Sequence, residues 1–301
     1  MKSTIFAGLV CAVALLAPAV FAAEKAAPAK FDAGALQVEQ HGKSGRPLIL
    51  IPGLSSGTWV WADTATRLEK HHQVYLLALP GFDGRKPVEG ATFDTLMKDL
   101  ATLIETRKLD RPLLIGHSLG GTMSLAFAAD HSNMIGGVIA IDGLPVYPGT
   151  ESMTGDRTAL GNQVRAQFAG QTPEQYAAGQ KDFMRQRGVI DPALADKLAA
   201  MSSRSDPATA GEIAGQVFQL DLRPRLGNIT VPVVEISPFN PPDFASSGLD
   251  EAGKANYYRS LMAGIGNLEV VSVSPARHFV MFDQPEKFAS ALDAAIDRMT
   301  H

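Results

Sequence analysis

LLIGHSLGG, residues 113–121, joins a short apolar run to a glycine-rich turn, and a helical pattern follows it. The apolar residues 113–115 predict a buried strand, and the spacing after Thr122 predicts a helix. Between them lies G-x-S-x-G, which forms a nucleophile elbow when it joins a strand to a helix. Gly116 and Gly120 have no Cβ, so neighbouring backbone can pass close to the turn. The stretch therefore predicts that Ser118 is a nucleophile at the N-terminus of a helix, where developing negative charge is favoured.

Similar apolar runs recur along the chain and alternate with helical patterns. The runs lie at 47–51, 74–79, 113–115, 138–141, 233–236 and 268–273, and the helical patterns lie at 59–70, 93–107, 122–131 and 285–299. Strands that are apolar along their whole length are typical of a parallel sheet with helices on both faces. Residues 36–41, with a turn at 42–45, predict one antiparallel strand ahead of this sheet. We therefore expect an α/β fold with a mostly parallel central sheet.

Residues 144–226 interrupt the alternation. This segment, which we call the cap, contains no clear apolar strand and carries helical patterns at 173–187 and 192–201. It is far longer than the few residues that usually connect two elements. Apolar residues such as Phe168 and Tyr176 favour a folded insertion over a disordered one. We expect a helical cap inserted after the sixth strand, between the two parts of a core at 24–143 and 227–301.

The composition excludes several classes of protein. Hydrophobic residues make up 46% of the 301 residues, which excludes a wholly disordered chain. The chain has 27 Lys and Arg residues and 31 Asp and Glu residues. The resulting formal charge of −4 lacks the basic excess that is typical of proteins binding nucleic acid or an anionic membrane. No His/Cys cluster has metal-ligand spacing, and no glycine-rich phosphate loop is present. The sequence therefore implies neither a metal nor an organic cofactor, and it leaves the oligomeric state open.

Residues 1–23 have the features of a secretory signal peptide. Lys2 precedes an apolar run at 5–17, and Val20-Phe21-Ala22 resembles a cleavage site. Thirteen apolar residues are too few to span the roughly 30 Å of hydrocarbon in a bilayer, which argues against a membrane anchor. Cys11, the single cysteine, lies within this segment, so the mature chain is expected to have no disulfide. We expect a periplasmic or secreted protein.

His278 is the histidine that we expect to activate Ser118. A serine hydroxyl is a weak nucleophile until a base takes its proton. His278 follows the last apolar run at 268–273, so it lies at the carboxyl end of a predicted parallel strand. Active sites of open α/β sheets lie at that end. His117 is a neighbour of the nucleophile, but in such a turn its side chain is expected to point elsewhere.

Two backbone N–H groups are expected to bind the oxyanion of a tetrahedral intermediate. Leu119 follows the nucleophile, and Leu54 follows Pro52 and Gly53 in the loop after the run at 47–51. An ordinary Pro-Gly turn is the alternative interpretation of that loop. We also expect Leu54, Trp59, Trp61 and Phe82 to line an apolar substrate pocket, although each could equally serve in packing.

These motifs resemble those of the α/β-hydrolases over nearly all of the chain after residue 23. The matching pieces are Pro52-Gly53-Leu54, Leu79-Pro80-Gly81-Phe82, Gly-His-Ser-Leu-Gly-Gly at 116–121, Val231-Pro232, His278-Phe279 and Phe282-Asp283-Gln284-Pro285. The resemblance implies a Ser-acid-His order and hydrolysis of a small carboxylic ester through an acyl-enzyme. Relatives also act on lactones, amides or thioesters, or serve as perhydrolases. Dehalogenase and epoxide-hydrolase relatives carry aspartate at the elbow, so Ser118 argues against both. A non-catalytic binding protein is the third alternative, and the presence of both Ser118 and His278 argues against it.

The motifs leave two positions open for the acid of the triad. Most relatives carry it after the seventh strand in a loop resembling Gly-x-x-Asp, but this chain has Pro241 at the aligned position, with Asp243 two residues later. A second group of relatives takes the acid from the end of the sixth strand, where Asp142 lies. We favour Asp142, with Asp243 as the alternative and Asn240 behind both. Asp283 is interpreted as the N-terminal cap of the last helix.

Overall fold

A computed structural model describes residues 28–299, so the predicted signal peptide lies outside the described residues. Eight strands form one sheet in the order β1-β2-β4-β3-β5-β6-β7-β8. They are β1 (Ala29–Ala33), β2 (Leu36–His41), β3 (Pro47–Ile51), β4 (Gln73–Ala78), β5 (Leu113–His117), β6 (Gly137–Ile141), β7 (Val233–Pro238) and β8 (Leu268–Val273). Strands β3 to β8 are parallel, and β2 pairs antiparallel with β1 and β4. The predicted mostly parallel sheet is confirmed.

Helices cover both faces of the sheet. They are α1 (Ala62–Leu68), α2 (Phe93–Thr106), α3 (Leu119–His131), α4 (Thr158–Ala169), α5 (Pro173–Phe183), α6 (Pro192–Ser202), α7 (Pro207–Gln219), α8 (Pro241–Phe244), α9 (Glu251–Leu261), α10 (Val280–Asp283) and α11 (Pro285–Arg298). Successive side chains of a strand point to opposite faces, so Ile49 of β3 packs in one buried cluster and Leu50 packs in the other. None of the helices within residues 28–299 has the length and apolar character needed to cross a membrane.

β1 is an element that the sequence pattern did not predict. Its residues pair antiparallel with β2, and Lys30 lies opposite Glu39 with 2.6 Å between Nζ and Oε1. The guanidinium of Arg107 lies 3.5 Å from the centre of the Phe31 ring. β1 is an edge strand with exposed and half-buried residues, so its sequence lacks the apolar run that marks the central strands.

The cap contains α4 to α7, which lie between β6 and β7. Three of these helices begin at a capping residue followed by proline: Thr172 before α5, Asp191 before α6 and Asp206 before α7. The capping side chain satisfies a free N–H of the first turn, and proline at the first position has no N–H to satisfy. A π-helical turn, Met184–Gly188, extends α5. The predicted helices at 173–187 and 192–201 are confirmed, whereas α4 and α7 were not predicted.

Candidate active site

Ser118 occupies a strained turn between β5 and α3. Its φ of 52° and ψ of −116° are unfavourable for a residue with a Cβ. The Ser118 N–H donates to the carbonyl oxygen of Ile141 at 2.8 Å, which ties the turn to the end of β6. A Cβ on Gly116 would lie 2.1 Å from the Gly120 oxygen, and one on Gly120 would lie 2.2 Å from the Ile51 oxygen. Both glycines are therefore required sterically, as the sequence predicted.

Asp142 and His278 form a direct pair. Asp142 immediately follows β6 and has a left-handed φ of 49°. Its Oδ2 lies 2.5 Å from Nδ1 of His278. Its other oxygen, Oδ1, accepts a hydrogen bond from the hydroxyl of Tyr258. The structure thus brings together two of the residues that the sequence singled out, from the ends of β6 and β8.

The surroundings of Asp142 favour its ionised form. Burial acts to raise the pKa of this carboxyl, but the positive charge of Lys254 and hydrogen bonds from His278 and Tyr258 outweigh burial and leave the pKa below its ordinary range. Lys254 Nζ donates to the carbonyl oxygen of Pro238 and lies 5.1 Å from the centre of the Tyr258 ring. Burial and the charge of Asp142 raise the pKa of Tyr258 well above its usual value, so Tyr258 remains a donor.

The cap holds the backbone on which His278 lies. The His278 N–H donates to the Arg187 oxygen at 3.1 Å, and the Phe279 N–H donates to the Gly188 oxygen at 2.9 Å. Arg187 and Gly188 both belong to the π-helical turn that follows α5. Such turns are rare and frequently occur at functional sites. The position of the His278 loop therefore depends on a local irregularity in the cap.

His117 contacts the backbone of the same loop. Its side chain is fully buried, and Nε2 lies 3.0 Å from the carbonyl oxygen of His278. The two imidazole centres are 4.6 Å apart. Burial, together with the nearby His278, lowers the pKa of His117 to about 3. The ring is therefore neutral at physiological pH, and its Nε2–H donates to the His278 carbonyl. Sequence reasoning gave His117 no role.

The two residues predicted to bind the oxyanion face the same cavity as Ser118. Leu119 is the first residue of α3, and N–H groups of a first helical turn have no acceptor within the helix. Leu54 follows β3 in the loop that faces the elbow. The next residue, Ser55, has a φ of 57°, and its Oγ lies 2.5 Å from the hydroxyl of Tyr176 in α5. The cap thus contacts this loop as well as the His278 loop.

A cavity of about 970 Å³ lies between the cap and the carboxyl ends of the strands. Ser118, Asp142 and His278 all line it. Its apolar walls include Leu54, Leu119, Leu144, Val146, Phe168, Val217 and Phe218. The cap also contributes four glutamines, Gln167, Gln171, Gln180 and Gln186. The cavity therefore offers both apolar contacts and hydrogen-bonding amides to a bound molecule.

Residues 48–291 match the model of the alpha/beta hydrolase family. The chain belongs to this family. The match spans the elbow, the cap and the His278 loop, so the candidate site lies within it. The resemblance noted in the sequence is thereby confirmed at the level of the family and the fold.

Esterases are among the curated relatives of this hydrolase, and solved structures of a lactonase and an esterase share its fold. It is 22% identical over 198 residues to the pimeloyl-[acyl-carrier protein] methyl ester esterase of Vibrio vulnificus, covering 64% of this chain and 74% of the relative. The crystal structure of the enol-lactonase from Burkholderia xenovorans superposes with a TM-score of 0.71 at 19% identity, covering 91% of this chain and 100% of the other. A thermophilic esterase from Thermogutta terrifontis gives a TM-score of 0.71 at 20% identity, with 91% and 99% covered. These structural likenesses establish the fold.

Asp243, the alternative acid, lines the same cavity but pairs with Arg277 rather than with His278. Both of its oxygens accept hydrogen bonds from the Arg277 guanidinium, at 2.8 Å from Nε and 2.7 Å from Nη2. These bonds hold the pKa of Asp243 below its ordinary value. The two prolines before Asp243 turn the chain into the short helix α8, which directs the carboxylate to Arg277. Asn240 is buried and interacts with Asp243, so it is not the partner of His278 either.

The prediction that Trp59 and Phe82 line the substrate pocket is wrong. Neither lies on the wall of the cavity, and Trp61 does not lie there either. The Trp59 ring stacks on Phe279 and Phe282, with centres 6.0 and 6.1 Å apart, so it packs behind the His278 loop. Phe82 is 1% exposed and belongs to the main buried cluster. Both are packing residues.

The prediction that Asp283 is the N-terminal cap of the last helix is wrong. The residue that precedes α11 is Gln284. The Asp283 carboxylate instead accepts hydrogen bonds from the Ile190 N–H at 2.9 Å and the Arg277 N–H at 2.8 Å. It therefore joins the cap to the His278 loop.

Tyr258 and Lys254 are the residues around Asp142 that sequence reasoning missed. They lie four residues apart on α9, a spacing that places two side chains on one face of a helix. The weakly apolar sequence of α9 did not predict a helix, so this relation was not visible. Within residues 28–299, no group of three or more His, Cys, Asp or Glu side chains is arranged so that it could hold a metal ion.

Proposed function

We propose that this protein hydrolyses carboxylic esters through a covalent acyl-enzyme, with Ser118 as nucleophile, His278 as general base and Asp142 as the orienting acid. The observation that carries the proposal is the contact of 2.5 Å between His278 Nδ1 and Asp142 Oδ2 in the cavity onto which Ser118 opens. A carboxylate on Nδ1 fixes the tautomer in which Nε2 has no proton. That nitrogen is then available to the serine hydroxyl.

The proposed reaction has two steps. His278 Nε2 takes the proton of Ser118 while Oγ attacks the ester carbonyl, and the N–H groups of Leu54 and Leu119 bind the oxyanion. Collapse of this intermediate breaks the bond to the alcohol oxygen, and His278 returns its proton to the departing alcohol. Water then gives up a proton to His278 and attacks the acyl carbon. Collapse of this second intermediate breaks the bond to Ser118 Oγ, which takes the proton back from His278 as the acid is released. Asp142 stays ionised and stabilises the imidazolium in both steps.

The cavity supports a small-molecule ester as substrate. Its volume of about 970 Å³ is at the upper end of ligand pockets, which range over roughly 300–1,000 Å³. Lactones, amides and thioesters would use the same residues, as would perhydrolysis. A purely binding role is disfavoured by the strained Ser118 and the mostly buried Asp142 charge, since both cost stability and binding alone needs neither.

The test compares Ser118→Ala with Ser203→Ala, a serine in the cap outside the cavity lining. Hydrolysis of p-nitrophenyl esters of increasing chain length is measured, with a lactone and an anilide beside them. Ser118→Ala should lose at least about 10³-fold in kcat, with an unchanged thermal midpoint, and Ser203→Ala should match the wild type. Labelling by a fluorophosphonate should occur in wild type and Ser203→Ala only. Retained turnover in Ser118→Ala would contradict the proposal, and the preferred substrate class would be the one with the highest kcat/KM.

We also propose that the protein is exported, because residues 1–23 have the features of a cleavable signal. The molecular mass of protein purified from the periplasm or the culture medium should correspond to cleavage near Ala22 or Ala23. An intact N-terminus on protein retained in the cytoplasm would contradict this.

A further inference from the structure

Glu235 is a fully buried carboxyl group beside the proposed triad. It lies in β7 and is 0% exposed. In the sheet register it is opposite Ala140, two residues before Asp142 on the neighbouring strand β6. Paired residues of neighbouring strands point to the same face, so Glu235 lies on the face of Ala140, and the charge of Asp142 at the end of that strand acts on it. The mechanism proposed above gives Glu235 no part.

The surroundings of Glu235 disfavour a negative charge. Neither carboxyl oxygen has a side-chain hydrogen-bond partner within residues 28–299. The charged or titratable groups that face it are Asp142 from the end of β6 and Lys254 and Tyr258 from α9. Burial and the negative charge of Asp142 raise the pKa of Glu235 well above its ordinary value, and the opposing effects of Lys254 and nearby backbone N–H groups do not cancel this.

Asp142 and Glu235 thus form a pair of carboxyls that differ in their partners. Asp142 accepts hydrogen bonds from both His278 and Tyr258. Glu235 accepts none from a side chain among the described residues. One lysine, Lys254, is close enough to act on both. When the pair carries a single negative charge, Asp142 is therefore the ionised carboxyl and Glu235 is the protonated one.

We propose that Glu235 is a positioning residue that supports the Asp142–Gly143 turn as a neutral carboxylic acid. The Asp142 N–H donates to the Ile236 carbonyl oxygen at 3.1 Å, whereas the Gly143 N–H faces the Glu235 carboxyl, and Asp142 holds an unfavourable left-handed φ of 49° at this turn. A polar neutral group beside the Gly143 N–H stabilises the turn without adding a second anion that would compete for Lys254. The inference rests on the proposed function insofar as Asp142 orients His278.

The protonation state is tested by stability, without reference to activity. Thermal and urea unfolding of wild type and Glu235→Gln are compared from pH 4 to pH 8. Below the ordinary pKa of glutamate, about 4.3, the side chain is neutral in both folded and unfolded chains. As the pH rises, only the unfolded wild type loses this proton, so wild type should lose stability relative to Glu235→Gln by up to about tenfold in the folding equilibrium per pH unit. The gap should widen until the pH reaches the raised pKa.

Glu269→Gln is the matched control for this measurement. Glu269 lies on the neighbouring strand β8, is partly exposed and pairs with Arg298. Its replacement removes one member of a partly exposed ion pair and no buried carboxyl, so it should show no gain in stability with rising pH. A pH-independent difference between Glu235→Gln and wild type would show that Glu235 is not held neutral and would overturn the proposal.

The positioning role is tested by turnover. Glu235→Gln should keep kcat within about threefold of wild type, with the same acidic midpoint in the pH profile of kcat/KM, because one neutral polar group replaces another. Glu235→Met, of similar length but apolar, should lose about tenfold or more in kcat with little change in KM. Wild-type kcat in Glu235→Met, or equal losses in both variants, would overturn the role. If Ser118→Ala stays active the proposed function fails, whereas the stability comparison still decides the state of Glu235.

Discussion

The hydroxyl of Tyr258 donates a hydrogen bond to Oδ1 of Asp142, the oxygen that His278 leaves free. With both oxygens engaged, the carboxylate has a fixed rotation relative to the imidazole. Lys254, one turn earlier on α9, supplies the positive charge that favours ionised Asp142. One face of α9 thus provides both the donor and the charge on which the orientation of His278 depends.

Replacing Tyr258 by Phe should lower kcat about tenfold, since hydrogen bonds to charged groups contribute about 1.5–3 kcal/mol and only part of this is expressed in turnover. KM should change less, because Tyr258 acts on Asp142 rather than on substrate. Tyr257→Phe is the control: its hydroxyl binds Glu151 and lies outside the cavity lining. Steady-state kinetics of both variants at neutral pH is the measurement. Equal turnover in the two would show that the bond to Asp142 has no part in catalysis.

Asp142→Asn and Asp243→Asn separate the two acids that the sequence left open. An amide at position 142 favours the wrong tautomer of His278, a change that costs about 10⁴-fold in turnover in a serine protease. Asp243→Asn weakens a partly exposed pair with Arg277, so its loss should stay within about tenfold. Values of kcat for both variants on one ester give the comparison. Near-normal turnover in Asp142→Asn would remove Asp142 from the triad.

The sequence predicted that Ser118 and His278 face one cavity, because this placement follows from strand ends. Ser118 and His278 were predicted because each follows a recognisable buried strand, and parallel strands bring their carboxyl ends to one edge. The sequence left Asp142 and Asp243 open because the ion pair between Asp243 and Arg277 is a long-range contact. Local sequence patterns do not predict such a contact. Tyr258 was missed for a related reason. Its helix has few apolar residues, and its partner is 116 residues away in the chain.

His117 should make the protein sensitive to acid. Burial lowers its pKa to about 3 from an ordinary value of about 6.5. Between these values the unfolded chain binds a proton that the folded chain does not, so stability falls as the pH falls from 6.5 towards 3. In His117→Gln this contribution is absent, while an amide donor towards the His278 carbonyl is retained. Unfolding midpoints at pH 7, 5.5 and 4 should therefore fall more steeply in wild type than in the variant. Parallel curves would contradict a neutral His117.

Asp283→Ala tests whether the contact between the cap and the His278 loop matters for catalysis. The variant removes the acceptor of the Ile190 and Arg277 N–H groups, and bonds to a charged acceptor contribute about 1.5–3 kcal/mol each. Loosening this contact should lower kcat as well as stability, because the adjacent His278 N–H donates to Arg187 of the cap. Asp191→Ala, which removes the N-cap of α6, should cost about 1 kcal/mol without a loss in kcat. Chemical denaturation and kcat are measured for both. If Asp283→Ala loses stability but keeps full turnover, the cap holds this loop for folding alone.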